Sequence, residues 1–481
     1  MLWTPLVALA VLIAHLPSFV QRLMDGDEAI YGSIAALMNT GGGLYAEGGV
    51  DNKPPGIFWV YALTFRLFGQ YQMTAVHFVA LLAVGVTCVL LFFIARELGG
   101  GRAGLLAALF YGVVTAAGNP RLLAANTEIF MMAPLVGSVF LMLRRHWFWC
   151  GMVLVVAGAF RQSAAINVLL VALAILWLEK PNLRWRAFGV FATGLVAGLA
   201  VGAMILALTG SLAGFWRWTI QVLYGYASTQ LSGDALWWRA RDSVVAFVVA
   251  MAVMWIAAVA YAAKWKALTV SERLMVAWLV VGMVGSFAGG HLSWHYFIQA
   301  MGPLAVLAAL AFTRITLRRS VAVAAALGIV LPAAAWWVFD VTTDPLTYDF
   351  SASVPQHQAV AAYIHDHTAS SDRVFVWGVW PALYVESDRL MASRFPGFLR
   401  GFPRGSDAPP NNWDTSPDVW PLLQADLNVN PPALIVDTAA AGWSDFSKYP
   451  MSNYPVLAEL VASRYHVVAS VEGVVIYARN T

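Results

Sequence analysis

The chain has 481 residues and a formal net charge of +3, with its basic residues in short, separated groups rather than one patch, which argues against a nucleic-acid binder. Only 11% of the residues are charged and 60% are hydrophobic, where a soluble globular chain is about 25% charged. So few charges exclude a water-facing surface around the whole chain, and most of it must face lipid. The 21 tryptophans fit aromatic anchoring at membrane interfaces. Cys88 and Cys150 lie inside apolar runs and read as small buried hydrophobes; there is neither a disulfide framework nor a CxxC metal motif.

The first apolar stretch, 3–20, has no basic segment before it and no small-x-small cleavage pattern after it, so it is expected to remain as a first membrane helix. A crossing helix needs about 20 apolar residues. Further spans are expected at 73–95, 103–118, 128–143, 147–160, 164–178, 187–208, 244–263, 273–289, 295–313 and 320–338, eleven in all. Gly118-Asn119-Pro120 and Phe160-Arg161-Gln162 interrupt otherwise continuous apolar sequence, and breaks of that kind are tolerated only against protein or a water-filled cavity.

Eleven spans put five basic clusters on one side: Arg96 and Arg102; Arg144 and Arg145; Lys180, Arg184 and Arg186; Lys264, Lys266 and Arg273; Arg314, Arg318 and Arg319. By the positive-inside rule that side is cytoplasmic. The loops 21–72, 119–127, 209–243 and 290–294, and the tail after 339, then lie outside. The 209–243 loop mixes Phe215, Trp216, Trp218, Tyr224, Tyr226, Trp237 and Trp238 with Arg217, Arg239 and Arg241, a composition suited to a helix lying at the membrane surface.

After Asp340 the chain becomes polar and rich in proline. Helices are expected over 357–367, 418–427 and 455–463, strands over 373–377 and 433–437, and a hairpin of 465–469 with 474–477 around Glu472-Gly473. The whole reads as a polytopic α-helical membrane protein with a C-terminal soluble α/β domain. The division is a transmembrane catalytic domain over 1–340, with outer loop 21–72, and an extracytoplasmic domain over 341–481. Walker and HExxH motifs are absent.

The residues able to carry chemistry gather on the outer side. Asp27 and Glu28, with Tyr31 next on the same face, could supply a general base or bind a divalent cation, or simply complement a helix N-terminus. Lys53-Pro54-Pro55-Gly56 precedes Phe58, Trp59 and Tyr61; a lysine fixed there could meet a phosphate or snorkel at the interface. Glu128, after Asn126-Thr127, is the only acid between Glu97 and Glu179. Arg121 and Arg161 are basic residues on the side the positive-inside rule disfavours, which an anionic ligand would explain. His291, Trp294, His295 and Tyr296, near Gln299, could line a sugar or phosphate site or form an aromatic belt; a third zinc ligand is not evident.

The order Asp27-Glu28-x-x-Tyr31, Lys53-Pro54-Pro55-Gly56-x-x-Trp59, Leu67-Phe68-Gly69, a later outer-side acid, then His295-Tyr296-Phe297 before Pro303 resembles the GT-C membrane glycosyltransferases. Within them it is most similar to bacterial relatives of the protein O-mannosyltransferases and of the lipid A aminoarabinose transferase. The resemblance implies a polyprenyl-phosphate-linked sugar donor, transfer at the outer face of the bacterial cytoplasmic membrane, and a protein or glycolipid acceptor. It implies Asp27 as the base that deprotonates or orients the acceptor, with Glu28 beside it. Lys53 is implied near the donor phosphate; Arg161, His295 and Tyr296 join it there by location. Glu128 stands where many relatives have Asp, as a second acid with Tyr31 on the acceptor side. Other classes that fit the composition are a flippase for lipid-linked sugars, whose intramembrane charges would link both faces, and a polysaccharide polymerase or ligase.

Overall fold

The computed structural model describes residues 3–221, 237–238, 240–288, 292–314, 318–346, 357–396 and 419–480. Tyr224, Tyr226, Arg239, His291 and Asp418 lie outside the described residues. The chain divides into two compact units, neither of them one continuous segment. One comprises Met1–Gln21, His77–Ile205 and Gln230–Thr343; the other Arg22–Val76, Leu206–Thr229 and Asp344–Thr481.

The first unit is the helical, membrane-spanning one. Each of the eleven expected spans has a helical counterpart. Five helices among the described residues are long and apolar enough to cross a membrane, or six if the pair Arg241–Ala250 and Ala252–Ala262, bent by 77°, is one span. Others, such as Trp147–Gly158, are shorter. The run Met73–Val114 is broken at Gly100, which adopts φ 84, ψ 178. The Cys88 thiol reaches the Ala108 carbonyl at 3.4 Å, and a Cβ on Gly104 would sit 2.7 Å from the Phe92 carbonyl. Pairings that converge in this way mean that the chain doubles back, so the run is two antiparallel helices, as the separate spans 73–95 and 103–118 require. Glycine permits the reversal because the left-handed φ costs it little.

The contacts of this unit respect the alternation of its ends. At the ends expected to be cytoplasmic, Arg144 pairs with Glu97, and Arg314 pairs with Glu272 and donates to the Leu98 carbonyl at 3.1 Å. Glu272 also closes a capping box with Thr269 at the start of Val270–Phe287. The helix Trp294–Arg314 is the centre of the unit: 89% of its apolar window is buried, against none for Arg319–Thr342. Its Ala300, Gly302, Ala305, Ala308 and Ala309 let neighbours approach closely, the usual basis of helix association where lipid removes the hydrophobic driving force. Arg319–Thr342 presents Val323, Leu327, Val330 and Leu331 outward, as a lipid-facing helix does.

The second unit gathers three of the segments expected on the outer side. Its sheet runs β2-β1-β3-β5-β4, with β1 (Arg373–Trp377), β2 (Leu390–Met391), β3 (Leu434–Asp437), β4 (Tyr465–Val471) and β5 (Val474–Arg479). β1 is parallel to β2 and β3, while β5 is antiparallel to β3 and β4. β1 and β3 are buried along nearly their whole length, as central strands covered on both faces are. Glu472 and Gly473 both take positive φ, 51° and 80°, as a two-residue hairpin turn demands. The short helix Ala382–Glu386 and strand β2 were not anticipated. The first loop belongs here: the helix Gly26–Met38 packs on Ala382–Glu386, Val50 N donates to the Arg394 carbonyl at 3.1 Å, and the Tyr71 hydroxyl donates to the Arg389 carbonyl at 3.1 Å.

Candidate active site

In the helical unit, one cluster joins three loops that are expected on the outer side. Glu128 lies in the first turn of Thr127–Leu143, after Asn126 at the N-cap. Arg161 is the extended residue between the helix ending at Gly158 and the 3-10 turn Gln162–Ile166. His295 and Tyr296 lie in the 3-10 turn Trp294–Phe297 that opens the central helix. The Arg161 guanidinium pairs with Glu128 Oε1, and His295 Nε2 stands 3.7 Å from the same oxygen. Glu128 Oε2 accepts from Thr127 Oγ1 at 2.8 Å. The Arg161 guanidinium carbon lies 3.8 Å from the Tyr296 ring centroid, and the His295 and Tyr296 rings meet edge-on at 4.8 Å. The Tyr296 backbone is fixed in turn, since its carbonyl accepts from Ser286 Oγ at 2.8 Å. Glu128, Arg161, His295 and Tyr296 are thus brought together, with the guanidinium held between a carboxylate and a ring face.

The other four candidates belong to the second unit. Asp25 caps the helix Gly26–Met38, its carboxylate accepting from Asp27 N at 3.2 Å. Glu28 is wholly buried and turns back to accept from Met24 N at 2.7 Å. Of the neighbouring acids Asp25, Asp27 and Glu28, Asp27 is the one that keeps partial exposure. Tyr31 is buried, its ring edge-on to Phe58 and Tyr61, each at 5.8 Å. That ring cluster anchors the helix.

Lys53 is fixed through its backbone. Its N–H donates to Asp51 Oδ1 at 2.9 Å, an Asx turn. Its carbonyl accepts from the Tyr45 hydroxyl at 2.7 Å and from Thr219 Oγ1 at 3.3 Å. Pro54 and Pro55 then lead into the helix Gly56–Phe68. The Lys53 side chain is half-buried, and its ammonium has no protein partner among the described residues. Upstream, the Gly41–Gly43 turn lets two strands of chain touch: a Cβ on Gly42 would lie 2.6 Å from Gly48 N. Among the described residues no group of three or more His, Cys, Asp or Glu is placed to hold a metal ion.

Comparison with known proteins follows the same line. Residues 52–208 match the sequence profile of the dolichyl-phosphate-mannose-protein mannosyltransferase family, about a third of the chain. A search of curated protein sequences found no match. ArnT from Cupriavidus metallidurans, bound to undecaprenyl phosphate, superposes with a TM-score of 0.66 at 15% identity, covering 99% of this chain and 98% of that one. The archaeal oligosaccharyltransferase AglB from Archaeoglobus fulgidus, in complex with an inhibitory peptide and a dolichol-phosphate, gives 0.57 at 10% identity, covering 100% and 74%. The mycobacterial arabinofuranosyltransferase AftD gives 0.50 at 14% identity, covering 99% and 40%. The chain is therefore a multi-pass membrane protein with the GT-C fold, and it resembles the protein O-mannosyltransferase and ArnT branch as the motif order implied.

Two features of the site lay beyond the sequence reading. Asp25 is the true cap of the first-loop helix, signalled only by an acid just before Gly26. The Glu128–Arg161 pair joins residues 33 positions apart, for which no local pattern exists.

Proposed function

We propose that this chain is an integral-membrane glycosyltransferase that moves a hexosyl or pentosyl group from a polyprenyl-phosphate donor to a protein or glycolipid acceptor. Asp27 acts as the base. The acceptor proton passes to Asp27, the acceptor heteroatom bonds to the anomeric carbon, and the bond from that carbon to the donor phosphate oxygen breaks. Polyprenyl phosphate leaves as an anion, so the site needs positive charge rather than an acid at the leaving group. Lys53 supplies that charge; in the helical unit Arg161, with His295 and Tyr296, forms a second cationic cluster suited to a phosphate. Glu128 holds Arg161 in place.

The observation that carries the reading is the contrast between the two first-loop groups. Asp27 is the one partly exposed acid among Asp25, Asp27 and Glu28, and Lys53 is a half-buried ammonium with its backbone locked and its charge unpaired among the described residues. Support also comes from the lipid phosphates bound by the ArnT and AglB structures. The gathering of Arg22–Val76, Leu206–Thr229 and Asp344–Thr481 in one unit agrees with an active face on the periplasmic side of a bacterial cytoplasmic membrane, with 341–481 as the extracytoplasmic domain.

The test is to incubate purified protein with radiolabelled polyprenyl-phosphate hexose and membranes, comparing wild type with Asp27→Asn and Lys53→Ala. Label should move to acceptor in the wild type and be lost in both variants. Undiminished transfer by Asp27→Asn would remove it from the base role. Movement of donor across vesicles without transfer would make the protein a flippase instead.

A further inference from the structure

The second unit contains a cavity of about 240 Å³ that none of the roles above uses. Its polar lining is Glu47 from the first loop, Arg373 at the start of β1, Ser393 and Arg394 after β2, and Asp426 and Asn430 at the end of the helix Val419–Val429. The two arginines differ. Arg394 is paired with Asp426: its Nε and Nη2 donate to that carboxylate at 2.9 and 2.7 Å, and its backbone N donates to the same carboxylate at 2.9 Å. Arg373 makes one long hydrogen bond, from Nη1 to the Met391 carbonyl at 3.4 Å. It has no carboxylate partner among the described residues, so most of its donors are unused. Burial pulls its guanidinium below the ordinary value, with Asp426 and Tyr71 acting the other way. A partly desolvated guanidinium with an open donor fork suits a carboxylate or phosphate oxygen pair.

Glu47 is exposed at the same cavity and is an acceptor for hydroxyl donors. Asn430 can both donate and accept. Because Asp426 neutralises Arg394, the walls are balanced in charge apart from Arg373 and Glu47. That pattern fits a ligand with one anionic group and several hydroxyls. The volume fits a single sugar residue and not a polyprenyl chain.

We infer that this cavity binds an acidic sugar residue, its carboxylate or phosphate on Arg373 and its hydroxyls on Glu47 and Asn430, and that it serves as an acceptor subsite. Only the acceptor role rests on the glycosyltransferase reading. The Val50 N–H bond to the Arg394 carbonyl ties the cavity wall directly to the loop that carries Lys53.

The full-length protein in detergent is titrated with glucuronate, glucose 1-phosphate, glucose and inorganic phosphate, by saturation-transfer NMR and calorimetry. The two acidic sugars should bind at least about tenfold more tightly than glucose, the effect of one charge-assisted contact. Arg373→Ala should remove that margin and Arg373→Lys should keep part of it. Thermal melts of each variant confirm that it is folded. Equal binding of glucose, or an unchanged margin in folded Arg373→Ala, overturns the inference. Inorganic phosphate binding as tightly as glucose 1-phosphate overturns the sugar assignment. In the transfer assay, Arg373→Ala should raise KM for an acidic acceptor with kcat held, and a fall in kcat alone would refute the acceptor role. Acidic-sugar binding without any transfer by the wild type would sink the glycosyltransferase reading and leave the binding site standing.

Discussion

Arg161 reaches 33 positions back along the chain to pair with Glu128, a side chain only 1% exposed, while its own is 12% exposed. A buried pair of this kind is weak evidence for stability, but breaking it from one side is costly, about 3–5 kcal/mol. Arg161→Ala should therefore lower the melting temperature sharply by stranding the carboxylate. Glu128→Gln keeps an acceptor for the guanidinium and should fold, yet it loosens the cation. Its donor KM should rise about tenfold, the effect of a charge-assisted contact, with a smaller change in kcat. Steady-state kinetics against donor concentration decide this, and an unchanged donor KM would detach Glu128 from the donor site.

Asp27 and Glu28 are adjacent, but the fold gives them different tasks. Glu28 accepts from Met24 N in a fully buried position, and Asp25 caps the same helix. Asp27→Asn should lower kcat by about 10²–10⁴, the range of a lost general base. Glu28→Gln can still accept the Met24 hydrogen bond; it should cost about 1 kcal/mol of stability and leave kcat within about tenfold. If Glu28→Gln lost as much kcat as Asp27→Asn, both carboxylates would share the chemistry.

That distinction shows where sequence reading ran out. The motif names both acids because composition and spacing mark them alike; only the helix geometry separates the one turned inward from the one left accessible. The helical spans and the hairpin were legible for physical reasons. Long apolar runs with basic ends report lipid crossing, and Glu472-Gly473 between β-branched runs reports a two-residue turn. The five-residue helix Ala382–Glu386 and the two-residue β2 are too short to carry a period. Charge alternation put Glu128, Arg161 and His295 at one end of the helical unit, and the three side chains do meet. Arg373 drew no notice because a single arginine at a strand start is ordinary until the cavity beside it is seen.

His357 gives the C-terminal domain a pH dependence. Its Nδ1 lies 2.9 Å from Glu386 Oε2 and its Nε2 2.8 Å from Asp344 Oδ2, an arrangement that only the imidazolium, a donor at both nitrogens, satisfies. Burial opposes the charge, but the bonds to Asp344 and Glu386 outweigh it and raise the pKa to about 9. Gln358 also reaches Asp344, at 3.3 Å, and the Trp380 ring covers the imidazole at 5.5 Å. A folded-state value above the unfolded one of about 6.5 means that the stabilisation is complete below pH 6.5 and lost as pH rises through 9. Melting curves of wild type and His357→Gln should differ most at pH 6 and converge by pH 10. A difference that does not change with pH would mean that His357 does not titrate in this window.

Tyr45 helps hold Lys53 through the lysine's backbone carbonyl. It takes φ 62, a left-handed backbone that costs a residue with a Cβ roughly 1–2 kcal/mol. The strain is offset by what the side chain does: its ring meets Phe58 at 6.3 Å and Phe215 at 5.8 Å, and its hydroxyl donates to the Lys53 carbonyl at 2.7 Å. Burial raises its phenol well above the ordinary value, so it remains a donor throughout any assay range. Tyr45→Phe keeps the ring packing and removes the hydroxyl's bonds to the Lys53 carbonyl and to Thr219. The folded variant should show a donor KM raised about fivefold, matching a neutral hydrogen bond of about 1 kcal/mol, with kcat nearly unchanged. Loss of kcat at unchanged KM would mean that Tyr45 acts on the reacting atoms rather than on the position of Lys53. A Tyr45→Phe/Lys53→Ala double variant no worse than Lys53→Ala alone would confirm that the hydroxyl works through the lysine.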